Sequence, residues 1–219
     1  MDWTEAAGRH GLTLARGKFI SLEGGEGVGK STQLSALAEA LRARGLEVVT
    51  TREPGGSAGA EAIRALLLGG SEDRWSARAE ALLFAAARTD HVEKTIRPAL
   101  ERGAWVLCDR FLDSSLAYQG GAGGLGIEAV RQANLFGIGA TLPDRTLVLL
   151  LPEGAERALA RDAGESDRIG GRPASYHLAV GAAFREIAAG EPQRMRVVDA
   201  SGSVQQVTDR LLAEIEDLL

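Results

Sequence analysis

The chain has 219 residues, 45% of them hydrophobic, and a formal net charge of −5. That length buries one full core and lies near the upper size of an ordinary single domain. The acidic balance excludes a broad electrostatic grip on nucleic acid or an acidic membrane, so any anionic ligand must meet a local cluster of Arg or Lys.

Residues 1–17, MDWTEAAGRHGLTLARG, have no apolar h-region and carry Asp2 and Glu5 early, which argues against a secretory signal or a transit peptide. They are expected to form a flexible extension ahead of a single domain spanning 18–219. No window approaches eighteen apolar residues, so no membrane span is expected. FISLE (19–23) reads as the first strand. GGEGVGKST (24–32) follows it, and Leu34, Leu37, Ala38 and Leu41 then fall at the spacing of a helix face. EVVTT (47–51) is the second strand. A long Ala- and Leu-rich helix is expected from Ser76 to Glu101, stopping near Pro98 and Gly103.

WVLCD (105–109) is the third strand, and its Cys108, the one cysteine of the chain, is expected to be a buried reduced thiol suited to a cytoplasmic protein. GGAGGLG (120–126) reads as a flexible connection before a helix over 127–136. TLVLLL (146–151), a helix near 154–162, a helix over 175–189, RVVDA (196–200) and an amphipathic VQQVTDRLLAEIEDLL complete the order. The strands are continuously rather than alternately apolar, as in strands buried on both faces. With a crossover helix after each, they predict an α/β fold, a doubly wound parallel five-stranded sheet flanked by helices.

Gly24, Gly29, Lys30 and Ser31 match G-x-x-x-x-G-K-[ST], the phosphate-binding loop, with a strand before it and an amphipathic helix after it. That setting points backbone N–H groups and a helix N-terminus at an anion. The chain holds only three lysines, Lys18, Lys30 and Lys94, so a lysine where the β- and γ-phosphates must be reached is not explained by abundance. Gly24, Gly25, Glu26, Gly27, Val28, Gly29, Lys30, Ser31 and Thr32 are therefore the expected ATP-binding residues. Ser31 and Asp109, at the end of the third strand, are the expected Mg²⁺ ligands, with an ordinary cap as the alternative for Asp109. Arg110 adds a permanently charged, bidentate grip for a second phosphate.

TREPGG (51–56), AEALLFAAARTDHVEKTIRPAL (79–100) and DRFLDSSLAYQG (109–120), together with the loop, closely resemble thymidylate kinase from Lys18 to the C-terminus. The resemblance implies a P-loop fold with a mobile lid, transfer of the ATP γ-phosphoryl group to dTMP, and a homodimer. It implies that Arg52 and Arg110 hold the dTMP phosphate, with Glu53 and Pro54 shaping the turn beside them. Phe84 then stacks on thymine and Arg88 donates to thymine O4, the two sharing one helix face at i, i+4. Ser114, Ser115 and Gln119 match the base pocket, Tyr118 the tyrosine against the deoxyribose, and Glu26 an acid near the sugar and metal. Taken singly, Phe84 reads as core, Arg88 as a solvated or paired helix arginine, and Ser114 and Ser115 as caps.

ARDAGESDRIGGRP (160–173) looks like the lid. With an acid, Glu26, in the phosphate loop, the resemblance assigns the catalytic arginine to this segment. Arg157, Arg161 and Arg168 are the candidates, Arg161 and Arg168 preferred, beside Lys30, Asp109 and Arg110. The chain departs from the family pattern at Ala179, Val180 and Gly181, at Gly123 and at Leu150, which touches the ATP side rather than the thymidine pocket. A deoxynucleoside kinase would want a carboxylate base, for which Glu53 is available, but paired Arg52 and Arg110 suit an acceptor that already carries phosphate. A guanine-nucleotide switch is excluded in its N-K-x-D form, because Asn134 is the only asparagine. A non-catalytic binding module would lack a charged site residue, and Lys30, Asp109 and Arg110 are all present.

Overall fold

A computed structural model describes residues 16–152 and 168–219. The expected five strands are β1 (Phe19–Gly24), β2 (Val48–Arg52), β3 (Trp105–Asp109), β4 (Arg145–Leu150) and β5 (Met195–Asp199), each within a residue of its expected bounds. They form one sheet in the order β2-β3-β1-β4-β5, every pair parallel. β1 is central and buried at all six residues. Its alternate side chains feed two cores: Phe19 packs on one face with Phe111, Val148 and Phe184, while Ile20 and Leu22 pack on the other with Leu37, Leu41 and Leu211.

The helices are α1 (Lys30–Ala43), α2 (Ala58–Leu68), α3 (Ala77–His91), α4 (Arg97–Glu101), α5 (Leu112–Ser115), α6 (Ile127–Ile138), α7 (Ala174–Gly190) and α8 (Val204–Ala213). Leu34, Leu37, Ala38 and Leu41 do form the buried stripe of α1. Ser203 starts α8 with a reciprocal capping box to Gln206. α3 and α4 are joined by a π-helical stretch, Val92–Ile96, so the helix expected from 76 to 101 is continuous in path but carries a bulge just ahead of Pro98, which lacks the N–H a regular turn needs. α2 was not foreseen; among its residues only Ala60 and Leu67 are buried.

GGAGGLG corrects a second expectation. Its first residues belong to a π-helical segment, Leu116–Ala122, that continues α5. Gly120 is buried, and a Cβ on Gly121 would lie 2.7 Å from the Ala183 Cβ, so small residues here let α7 pack close. The departures at Val180, Gly181 and Leu150 are likewise buried packing positions. The expected N-terminal extension and the helix near 154–162 lie outside the described residues, except for Arg16 and Gly17. No helix among the described residues is long and apolar enough to cross a membrane.

Candidate active site

At the carboxyl edge of the sheet Leu22 of β1 pairs with Asp109 of β3, and Arg52 of β2 pairs with Asp109 from the other side. Everything attached to these strand ends therefore converges on one crevice, the usual ligand position in an open parallel sheet. Gly24 ends β1 with φ 137°, and a Cβ there would collide with the Leu149 carbonyl oxygen. Gly29 enters α1 at φ 92° without a side-chain cap, and no acidic residue occupies the first turn. The first N–H groups of a 14-residue helix are thus left for an anion.

Lys30 folds back over this loop, its Nζ donating to the Gly25 carbonyl at 2.6 Å. Burial, and then the Arg110 charge, pull its pKa down from 10.5 to about 7, against the pull of Asp109, Glu26 and Glu23. Ser31 Oγ donates to Asp109 Oδ2 at 2.8 Å. This hydroxyl and carboxylate are hard oxygen donors, and both line a cleft beside Gly27, Gly29 and Lys30. Two protein oxygens with room for phosphate and water oxygens fit Mg²⁺, which keeps most of its shell outside the protein.

Arg110 sits at the centre. It is the one non-glycine residue at positive φ (69°) among the described residues, held there by its own N–H bond to Leu22 O at 2.9 Å. Its guanidinium donates to Gly24 O at 3.0 Å, to Ser114 Oγ at 3.2 Å and to Glu26 Oε1 at 2.7 Å, and lies 5.0 Å over the Tyr118 ring. Burial raises the Glu26 pKa, but Arg110, Lys30 and His177 outweigh it and hold the carboxylate below its usual range. Tyr118 OH approaches Glu26 Oε1 at 3.4 Å, and burial pushes the phenol up to about 12, so it stays a donor.

Behind Arg110 lies Glu23, which sequence reasoning passed over. It is fully buried, accepts from Phe111 N at 2.8 Å and lies 2.5 Å from Ser114 Oγ. Burial first, and the neighbouring Asp113 second, push its pKa up to about 8. An acid closing an otherwise apolar buried strand, FISLE, was the signal available.

A second cavity of about 220 Å³ opens beside the phosphate cleft and shares Glu26, Ser31, Asp109 and Arg110 with it. Phe84, Arg88, Ser114, Ser115, Tyr118 and Gln119 line it, so the structure gathers all six expected base and sugar residues. Arg52 stands at its rim, 54% exposed at the side chain and paired with Glu61 at 3.2 Å. Such a surface pair is worth little, about 1 kcal/mol or less, so Arg52 exchanges partners readily. Arg64, whose Nη1 donates to Pro54 O at 2.7 Å, and Ile169 also line the cavity and were not expected there: Arg64 lies on the unforeseen α2, and Ile169 was read only as part of the lid.

Arg168 corrects an expectation. Rather than facing the phosphate loop, it is buried with Nη2 on Glu80 Oε2 at 2.6 Å and Nε on Leu67 O at 2.8 Å. A buried carboxylate on α3 is a stronger attractor than an open cleft. Glu80 also takes Arg172 at 2.8 Å and Gln119 Nε2 at 3.1 Å, which orients Gln119 in the cavity. Arg157 and Arg161 lie outside the described residues.

Residues 22–211 match the profile of the family described as thymidylate kinase. The chain is 62% identical over 205 residues to a thymidylate kinase of Rhizorhabdus wittichii, covering 93% of this chain and 99% of that one. It is 48% identical over 217 residues to one of Nitrobacter hamburgensis, covering 98% and 94%. The crystal structure of thymidylate kinase from Ehrlichia chaffeensis superposes with a TM-score of 0.75 at 30% identity, over 92% of this chain and 99% of that one.

Proposed function

The chain belongs to the thymidylate kinase family, and we propose on that premise that its two adjoining cavities hold the two nucleotides of a single in-line phosphoryl transfer. The enzyme phosphorylates dTMP to dTDP in dTTP synthesis, and its family uses ATP as phosphate donor. The observation that carries the two-cavity reading is Arg110, shared by the phosphate cleft and the nucleoside cavity and therefore the natural bridge between donor and acceptor phosphates.

In this reading the loop from Gly24 to Thr32 holds the ATP phosphates on backbone N–H groups, with Lys30 across the β- and γ-phosphates. Arg52 leaves Glu61 for the dTMP phosphate, and Arg110 and Arg64 approach the same group. Phe84 covers thymine, Arg88 meets its O4, Ser114, Ser115 and Gln119 surround the base, and Tyr118 closes on the deoxyribose. A phosphate oxygen is already a nucleophile, so no strong base is required and the protein's contribution is position and positive charge. Mg²⁺ held by Ser31 and Asp109 would neutralise charge between the β- and γ-phosphates. Arg161, in a lid over 160–173, stays as the proposed arginine on the transferred group. Residues 18–219 act as one domain, residues 1–17 as an extension, and the lone buried Cys108 suits a reducing, cytoplasmic compartment.

The test is ADP formation from Mg·ATP with dTMP, dUMP, dCMP, AMP, GMP or UMP as acceptor, and with thymidine or water as controls. dTMP is expected to turn over fastest by a wide margin. Faster turnover of thymidine, or ATP consumption without an acceptor, overturns the acceptor-site reading.

We propose a homodimer through α2, α3 and α6. Phe136 is 96% exposed and Leu82 59% exposed, beside a shallow groove lined by Ile63, Ala85 and Ala86. A bare phenylalanine next to an apolar groove on one face suits a self-complementary two-fold contact. Phe136→Lys is expected to shift sedimentation from dimer to monomer at micromolar concentration. An unchanged dimer would place the contact elsewhere.

A further inference from the structure

Arg88 is 2% exposed, and nearly all its hydrogen-bonding capacity is spent inside the protein. A guanidinium carries five N–H groups in a rigid fork. Nε donates to Glu53 Oε2 at 2.7 Å. One Nη1 N–H goes to Ser115 Oγ at 3.0 Å and the other to Asn134 Oδ1. Nη2 donates to the Phe111 carbonyl at 2.9 Å, and the Phe111 ring lies under the guanidinium at 5.3 Å. Four donors are accounted for, which leaves one Nη2 N–H on a side chain that lines the nucleoside cavity.

The partners are themselves held. Glu53 Oε1 meets His91 Nδ1 at 3.0 Å, and His91 Nε2 meets Thr51 Oγ1 at 2.7 Å. A Glu53 carboxylate oxygen can only accept, so His91 Nδ1 is the donor in that bond. Asn134 Nδ2 donates to Val130 O at 2.8 Å, which fixes its amide with the oxygen toward Arg88. Glu53 follows β2, His91 is on α3 and Asn134 on α6, so three separate elements set one guanidinium plane. His91 is fully buried and Asn134 1% exposed, and neither lines the cavity.

We propose that Asn134 and the His91–Glu53 pair are positioning residues for base selection: by holding two of the four spent donors of Arg88, beside Ser115 and the Phe111 carbonyl, they fix the guanidinium plane so that its one remaining N–H faces the cavity, and the site accepts a 4-oxo pyrimidine and rejects a 4-amino one. This rests on the reading that Arg88 meets the base. A lone N–H finds an acceptor in a carbonyl oxygen, whereas an exocyclic amino group brings a donor against a donor. An Arg88 freed to rotate would carry that N–H away from O4, which weakens the 4-oxo contact and with it the discrimination.

The experiment measures kcat and KM for dTMP and for dCMP in Asn134→Leu, Asn134→Asp, His91→Leu and His91→Asn, with Arg88→Ala alongside. The leucine variants are expected to lower the dTMP to dCMP ratio of kcat/KM by about tenfold or more, chiefly through a raised KM for dTMP. Asn134→Asp keeps the accepting oxygen and His91→Asn keeps a donor to Glu53, so both are expected to recover most of the ratio. If a leucine variant fails to fold, Asn134→Ala and His91→Ala carry the same comparison. Folded variants with an unchanged ratio, while Arg88→Ala loses it, overturn the positioning role. An Arg88→Ala enzyme that keeps its dTMP preference overturns the base contact itself, and the positioning role with it.

Discussion

Lys30→Ala is expected to lower kcat/KM by about 10³-fold with no loss of thermal stability, because its charge acts on the transferring phosphoryl group rather than on the core. Removing it ends one hydrogen bond, to Gly25 O, and also removes a buried charge held against its desolvation cost. The pKa near 7 gives a second, independent readout. The folded protein binds fewer protons than the unfolded chain between about pH 7 and 10.5, so the penalty of burying the ammonium is full below 7 and fades as pH rises through that window. Phosphates in the loop favour the charged form and restore the proton. Calorimetric titration with an ATP analogue at pH 8, in buffers of different ionisation enthalpy, should show net proton uptake that disappears in Lys30→Ala. Equal proton exchange in both proteins would falsify the assignment of that proton to Lys30.

Arg110→Ala carries the other large effect. One side chain ties Gly24, Glu26, Ser114 and the Tyr118 ring together at the join of the two cavities. Its loss both removes the proposed phosphate contact and leaves Glu26 as an unpaired carboxylate beside an incoming phosphate. Steady-state kinetics should give a raised KM for dTMP, a lowered kcat, and about a 10³-fold fall in kcat/KM. Arg110→Lys should recover little, since one ammonium cannot reach Glu26 and Ser114 as a planar fork does. The backbone adds a stability signature. At φ 69° alanine pays a left-handed penalty of about 1 kcal/mol that glycine does not, so Arg110→Gly should melt higher than Arg110→Ala. A fall in kcat/KM of less than tenfold in Arg110→Ala would move the phosphate site away from this residue.

The sheet and the phosphate loop were legible because their causes are local. Continuous apolar runs report burial on both faces, and GGEGVGKST demands backbone freedom at Gly24 and Gly29 whatever the rest of the fold does. The family resemblance then brought in Arg52, Phe84, Arg88, Ser114, Ser115, Tyr118 and Gln119, which converge with Arg110 on one crevice because each lies on an element that ends at, or packs against, the carboxyl edge of the sheet. Partner choice was not legible. Arg168 reads as a lid cation until Glu80, 88 positions away, claims it. Taken singly, Arg88 reads as a solvated or paired helix arginine until Glu53, Phe111 with Ser115, and Asn134 fill its fork from three parts of the chain. Asn134 itself carried no positive signal beyond being the lone asparagine. Backbone preference and hydrophobic pattern act between neighbours in sequence, so they determined where the strands and the loop lie. Hydrogen-bond capacity is finite and is divided among groups that only folding brings together, so tertiary structure alone decided which charges are spent on the protein and which are left for a ligand.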